Sequence, residues 1–466
     1  MNVSLDVMRR VFGAVRSEAR FAAAVLLSLG LVAGSVSGAC AEGFAITEWS
    51  ARGMALGGGA GGGMVARADD PSAVAYNPAG ITQIPGTAVQ MGLAVSALNF
   101  DISRSDNGSN VSSSNQVWPI PHFYLTHQLS DNLWFGVGTF TRYGLGSQFP
   151  DNWARPFNGK GGHFSLPGVP VSFPATSGLK SVTLLSSTIN PNLAYRINDV
   201  WSVSAGVSYT WGYLSLNQQY NVDASMLGMG MGQSDARIHS ENGYAFGYNF
   251  GLHARFNDQW SAGLTYRASE DMSFRGQTRF RFSGDPRVTA AMQNVLKTCN
   301  ADGKLSIPDV ITLGVMYKPL PNLSFEGDVA YTVWSRFRNL TINMHDTTPQ
   351  FFEQKNWQDT WAFTFGVEYA PLDWLTLRAG FTYETSPLKD SNCYDYLVPS
   401  NGRNYYTLGA GFKYENWTLD LAYMYIDVRD INYGYREDAH GIATTLEGKA
   451  HNSYAHNFGL TLGYRF

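Results

Sequence analysis

Nine histidines, three cysteines and a glycine run, GGGAGGG from Gly57 to Gly63, are the features of this chain that would carry chemistry in an enzyme. The run formally contains G-x-G-x-x-G, the spacing that cradles phosphates, but that motif works only between a strand and a helix with an acid downstream, and the flanks supply neither. His122 and His127 lie an odd number of residues apart on one alternating segment, so they face opposite sides and cannot share a metal. No G-x-S-x-G, H-E-x-x-H or P-loop occurs, and no histidine sits at a triad spacing. The expectation is no enzyme and no cofactor, with a lipolytic enzyme as the catalytic alternative. What remains is a set of charges on one face of apolar segments: Glu326, Asp328, Arg378, Glu384, Lys413 and Asp420. Their meaning depends on the elements that carry them.

Those elements alternate with period two. Trp201, Val203, Ala205, Val207, Tyr209, Trp211 and Tyr213 stand against Ser202, Ser204, Gly206, Ser208, Thr210 and Gly212, and Tyr454 to Phe466 repeats the pattern with His456 as its polar exception. Charged residues make up only 15%, while Gly 49, Tyr 25, Phe 27 and Trp 12 are high. No stretch after residue 41 is apolar for the length of a membrane helix. Short turns (130–132, 198–200, 257–259, 319–322, 371–373, 415–416) alternate with long connections, which predicts fourteen antiparallel strands between 87 and 466 with both termini on the short-turn side. The expected fold is all-β: a fourteen-stranded transmembrane barrel, one face toward lipid and the charged face toward the lumen, in the outer membrane of a Gram-negative bacterium. A soluble sandwich or propeller would explain the alternation but not the short-long rhythm.

Arg9, Arg10, Arg16 and Arg20 precede the apolar run 21–36 and Ala39-Cys40-Ala41, the pattern of a secretory signal peptide over residues 1–41. Its removal leaves 29 basic and 35 acidic side chains, a formal charge of −6, which argues against a nucleic-acid partner. Cys299 and Cys393 reach an oxidising compartment, where a disulfide between loops and two unpaired thiols are equally open.

Residues 42–86 precede the first strand. Glycine permits tight packing and positive φ in a confined space, and Pro71, Pro78 and Pro85 punctuate short helices or turns. A barrel of this size has a lumen to fill, so the segment reads as a plug entering from the periplasmic side, with the barrel proper at 87–466. That argues against a general porin. A surface adhesin would make no demand on a plug.

From Gly43 to Phe466 the sequence resembles the outer-membrane long-chain fatty acid transporter family, which also includes aromatic-hydrocarbon uptake channels (FadL/TodX type, OmpP1-like). The resemblance is carried by Gly43-Phe44, ADD (68–70) before NPA (77–79), INPNLAYRINDVWS (189–202), LTYRASEDMSFRG (264–276), YTVWSRF (331–337), TLRAGFTYETSPL (376–388) and EGK (447–449). It implies the same barrel, with 42–86 as its hatch, and a ligand that is a long-chain fatty acid or another hydrophobic small molecule, aromatic or aliphatic hydrocarbon being the alternative. Ligand would pass from an extracellular apolar groove to a lumenal pocket, then through hatch rearrangement sideways into outer-membrane lipid; a monomer suffices. Phe44 would meet ligand, and Asn77, Pro78 and Ala79 would form the hatch turn. The kinked third strand would span about Leu133 to Tyr143, where Gly136 and Gly138 ease a bend. Fatty-acid-specific members place a basic residue on the fifth strand, but the matching position, near Gln218, is uncharged; Arg267 and Arg378 are the substitute candidates for binding a carboxylate. The aromatic-bearing loop 144–186, with Phe149, Trp153, Phe157, Phe164 and Phe173, would build the groove.

Overall fold

The computed structural model describes residues 44–113, 116–156, 161–165, 172–345, 351–438 and 441–466. The signal peptide expected at 1–41, together with Glu42, Gly43 and Phe157, lies outside the described residues. The chain is all-β, and its strands form one sheet that closes on itself. Thr87–Arg104 pairs antiparallel with Gln116–Gln128 on one side and with Gly448–Arg465 on the other. Closure removes the two free edge strands that an open sheet would leave in hydrocarbon.

The expectation of a fourteen-stranded barrel is corrected: among the described residues the sheet comprises 24 strand segments. Several segments read as continuous are interrupted. The one expected at 260–282 is split into Trp260–Arg267 and Glu270–Gly284, and the one at 323–342 into Leu323–Thr332 and Asn339–Met344 around a single 3-10 turn at Trp334–Arg336. Stretches read as loops also supply strands, among them Leu145–Gln148 and Cys299–Ile307. The physical reason is that period-two apolarity marks a strand only where one face meets lipid. Beyond the membrane both faces are mixed, and the pattern no longer separates strand from loop. Three strands run far past the hydrocarbon: Ser172–Arg196, Trp201–Asp223 and Met231–Arg255.

Burial is inverted relative to a soluble protein. Val207, Phe246, Leu408 and Phe458 are exposed, whereas Ser208, Thr210, Asn249 and Thr461 are buried inside the ring. Two of the short turns share one device: the Asn198 carboxamide oxygen accepts from the N–H groups of Val200 and Trp201, and Asn257 does the same for Gln259 and Trp260. Asn-Asp before an interfacial Trp is thus an Asx turn that reverses the chain.

Residues 44–84 fill the interior; within this stretch only Asp69 is exposed. The segment forms short helices at Ala51–Ala55 and Ala73–Tyr76 and a 3-10 turn at Pro78–Gln83. Ser50 caps the first by accepting from Gly53 N–H. Contacts reach the whole circumference: Ala51 N–H to Thr461 Oγ1, Thr407 Oγ1 to Ala55 O, Thr382 Oγ1 to Gly57 O and Ser261 Oγ to Ala66 O. Gly57 sits at φ 127, a conformation open to glycine, with its backbone against Thr364 and Thr382 of the wall. On the wall, Gly263 admits the backbone of Val65 so closely that any side chain would collide with its carbonyl. Gly263→Val is therefore expected to unseat the segment at a cost of about 1–3 kcal/mol. Limited proteolysis should then cut within 44–86 in the folded barrel, where the unsubstituted protein resists.

Candidate functional site

The inner segment is latched to the wall by charge. Arg52 reaches Asp69 (2.7 Å) and Asp70 (3.0 Å) within the segment and Glu368 (3.0 Å) on the wall. Glu326 accepts from the N–H groups of Ala66 (2.7 Å) and Arg67 (3.0 Å) and lies 3.6 Å from the Arg67 guanidinium. Arg378, a candidate carboxylate binder, belongs to this latch: it pairs at 2.6 Å with both Glu368 and Asp420. The ADD acids are therefore the partners of Arg52, an assignment their sequence neighbourhood does not reveal.

Asn77, Pro78 and Ala79 form the turn that docks the segment's far end. The Asn77 carboxamide donates to Val65 O (2.8 Å) and Leu252 O (3.1 Å) and accepts from Ala79 N–H (3.2 Å), and Pro78 opens the following 3-10 turn. These residues join segment to wall. Gly136 and Gly138 leave room on the wall for Val74, Ile81 and Tyr124.

Phe44 stands at the other end, in an aromatic box with Tyr143 (5.7 Å), Trp334 (5.1 Å) and Phe337 (5.3 Å), backed by Trp357. Lys355, fully buried, lies 6.0 Å from the Phe337 ring and is held by Asp395 (2.6 Å) and Glu353 (2.8 Å). Burial pulls its ammonium pKa down, but the two carboxylates outweigh that and hold it above its ordinary value. Above the box, Phe100, Phe149, Trp153 and Tyr396 pack in sequence, edge-on or tilted, with centroids 4.7–5.2 Å apart. Phe149, Trp153 and Phe173 of the expected groove loop are buried.

Below the box, Arg142 and Arg267 line a small cavity of about 30 Å³ with Trp49, Tyr76 and Tyr143. Arg267 lies over the faces of Trp49 (5.8 Å) and Phe140 (5.5 Å) and donates to Val74 O, Ala75 O and Asn190 Oδ1. Arg142 pairs with Glu270, which also accepts from Ser208 and Thr210. Sequence reading named Arg267 and missed Arg142, Glu270 and Lys355. The one available signal for Arg142 was the loss of alternation after Phe140. Gln218 is buried and donates to Ser177 Oγ. Cys299 and Cys393 are free thiols, so no disulfide joins the loops.

Arg142 sits where the wall itself is interrupted. The strand Leu133–Phe140 ends, and Leu145–Gln148 resumes beyond a gap. The inner segment satisfies the released backbone: Ile46 N–H donates to Arg142 O (2.7 Å), Gly144 N–H to Phe44 O (2.8 Å) and Trp49 Nε1 to Thr141 O (2.9 Å), with Ala45 bridging Tyr143. On the facing strand the register to Leu133–Phe140 starts only at Phe123. Pro119 and Pro121 stand beyond that point, without N–H groups to offer a neighbour. Trp118 covers Gly146 across the gap.

A closed sheet with an apolar exterior and its own N-terminal segment in the lumen defines a plugged transmembrane β-barrel. The chain belongs to the family described as "Outer membrane protein transport protein (OMPP1/FadL/TodX)", which matches residues 32–166 and 169–466. It is thus an outer-membrane β-barrel of Gram-negative bacteria that transports hydrophobic compounds, and not an enzyme. It is 25% identical over 461 residues to a "Long-chain fatty acid transport protein" of Escherichia coli O6:H1, covering 92% of this chain and 95% of that one. It is 22% identical over 497 residues to "Outer membrane protein P1" of Haemophilus influenzae, covering 97% and 99%. In fold it is similar to a crystal structure of a Pseudomonas aeruginosa FadL homologue, with TM-score 0.74 and 20% identity over 90% of this chain and 99% of that one. It is likewise similar to the P. putida toluene transporter TodX, with TM-score 0.63 and 17% identity over 85% and 94%.

Glu326→Gln is expected to destabilise the seated segment by about 3 kcal/mol, because it removes the charge that faces buried Arg67. The check is the temperature at which residues 44–86 become accessible to protease, which should fall well below that of the unsubstituted protein.

Proposed function

We propose that the protein carries long-chain fatty acids, with residues 42–86 as a hatch between an apolar groove at the long-loop end and a sideways exit into the membrane. The observation that carries this reading is the meeting of Arg142 and Arg267 with Trp49 and Tyr76 at the inner end of the aromatic path from Phe44. An acyl chain needs apolar stations of moderate depth, since each methylene buried contributes about 0.8 kcal/mol and costs as much to release. Aromatic rings supply such stations, and a guanidinium at the end reads the carboxylate. Arg267 suits that role better than Arg378, whose charge is taken by Glu368 and Asp420. The cavity is far too small for an acyl chain, so occupancy requires Phe44 to Trp49 to move. That movement would strip the hydrogen bonds covering the interrupted strand and open the path past Trp118.

Hydrocarbon uptake is the second reading, favoured by Glu270, which neutralises Arg142. Competition separates the two. Purified protein is loaded with a fluorescent long-chain fatty acid and challenged with unlabelled acid or an aromatic hydrocarbon. Arg267→Gln is expected to weaken the acid about tenfold while leaving the hydrocarbon within about twofold. Equal loss of both, or displacement by hydrocarbon alone, would contradict carboxylate reading.

For the exit, Pro119→Val with Pro121→Val restores two N–H groups and should favour pairing across the gap. Uptake by cells is expected to fall severalfold with binding unchanged; unchanged uptake would remove the gap from the pathway.

A further inference from the structure

Above the lipid-facing belt the outer wall changes character on five adjacent strands. Trp201 to Trp211 already spans about eleven residues, the length that crosses hydrocarbon. Beyond it the same alternating positions hold Ser215, Asn217 and Gln219, of which Asn217 reaches the surface and Ser215 and Gln219 are covered. Across the neighbouring ladders, Tyr244 gives way to His239 and Arg237, Tyr266 to Arg275 and Arg279, Ile311 to Lys304 and Asp302, and Tyr331 to Thr341 and Asn343. The surface is concave, with a volume of about 1420 Å³.

Its charges are only partly balanced, and the central pair of cations has no acid opposite it. Arg237 and Arg279 are directly opposite in the antiparallel register and both are exposed. Like charges in that arrangement repel. Of the nearby acids, Asp235 lies opposite Arg281 and Asp302 opposite Arg275 in the register, and their close contacts go to Lys180 (3.1 Å) and Gln219 (3.0 Å) and to His345 (2.5 Å) and Asn343 (3.0 Å); neither stands opposite Arg237 or Arg279. Among the described residues, Arg237, Arg275, Arg279 and Arg281 form no ion pair. Two guanidiniums side by side, flanked by more cations, present the donor fork that a phosphate dianion accepts.

We propose that this face binds the phosphate groups of a glycolipid in the surrounding outer leaflet, with Arg237 and Arg279 as the central pair. The height decides the occupant. The cations begin where the lipid-facing aromatics end, at the level of headgroups, so a phosphate anchored on acyl chains meets them while its chains lie against Trp211, Tyr244 and Phe246.

The test uses the full-length protein, delipidated in detergent and titrated with a diphosphorylated glucosamine lipid or its dephosphorylated form, bound lipid being read by native mass spectrometry. The diphosphorylated lipid is expected to bind about tenfold more tightly. Arg237→Gln with Arg279→Gln should erase that difference, with Arg279→Gln alone intermediate. Heat-dependent gel mobility verifies that each variant is folded, and the lipid comparison on the unsubstituted protein decides the matter even if the double variant fails to fold. Equal binding of the two lipids would overturn the proposal, as would an undiminished preference in folded variants. Inorganic phosphate is the third probe: competition only at far higher concentration supports a lipid site, and competition at the lipid's own concentration would mark a small-anion site instead.

Discussion

Within a bilayer, every backbone N–H and C=O needs a partner inside the protein, and this barrel leaves one stretch of its wall without a neighbouring strand. Between Phe140 and Leu145 the ladder lapses, and the groups it frees are taken by Phe44, Ile46 and Trp49 of the lumenal segment and by the Ser186 hydroxyl, which donates to Tyr143 O. The segment is therefore part of the wall as well as an obstruction within it. On the proposed function, moving residues 44–49 would open the lumen and uncover the side of the barrel in one event, coupling entry of a ligand to its way out.

Buried charge keeps that event from occurring without cause. The latch of Arg52, Arg67, Glu326, Glu368, Arg378 and Asp420 lies at the short-turn end, away from Phe44. Removing one partner would strand a buried charge, so this end holds firmly. The other end is held mainly by aromatic contacts, which an apolar ligand could replace in kind, and by a few backbone hydrogen bonds, which it could not. The proposed function thus has the segment anchored at the latch and exchangeable at the Phe44 end, where ligand would arrive.

The transmembrane part of this design was legible because lipid imposes a strict alternation, and Asn198 and Asn257 mark the turns between strands. The glycine run was legible as close packing, since few other residues tolerate the conformation at Gly57. Strand number was not: above the membrane the polar faces of 270–284 and 299–307 carry no periodic contrast, and interruptions such as Ala268-Ser269 hide inside alternating runs. The charge partners were also hidden. Arg142 and Glu270 stand 128 residues apart, and only the register of the closed sheet brings them together. Gly136 and Gly138 were legible as special positions, although their immediate use is to admit Val74 beside the wall.

The central claim is that residues 44–49 must leave the interrupted strand for transport to occur. Its most direct test is a disulfide between Ala45→Cys and Tyr143→Cys, the two bridging positions, with Cys299 and Cys393 replaced by alanine. Uptake of a labelled long-chain fatty acid by cells carrying this protein is predicted to fall to the level of cells without it under oxidising conditions and to return on reduction, the reduced form serving as the control for both substitutions. Full uptake with the bond formed would contradict the account, because the segment would then be passing ligand without leaving the wall.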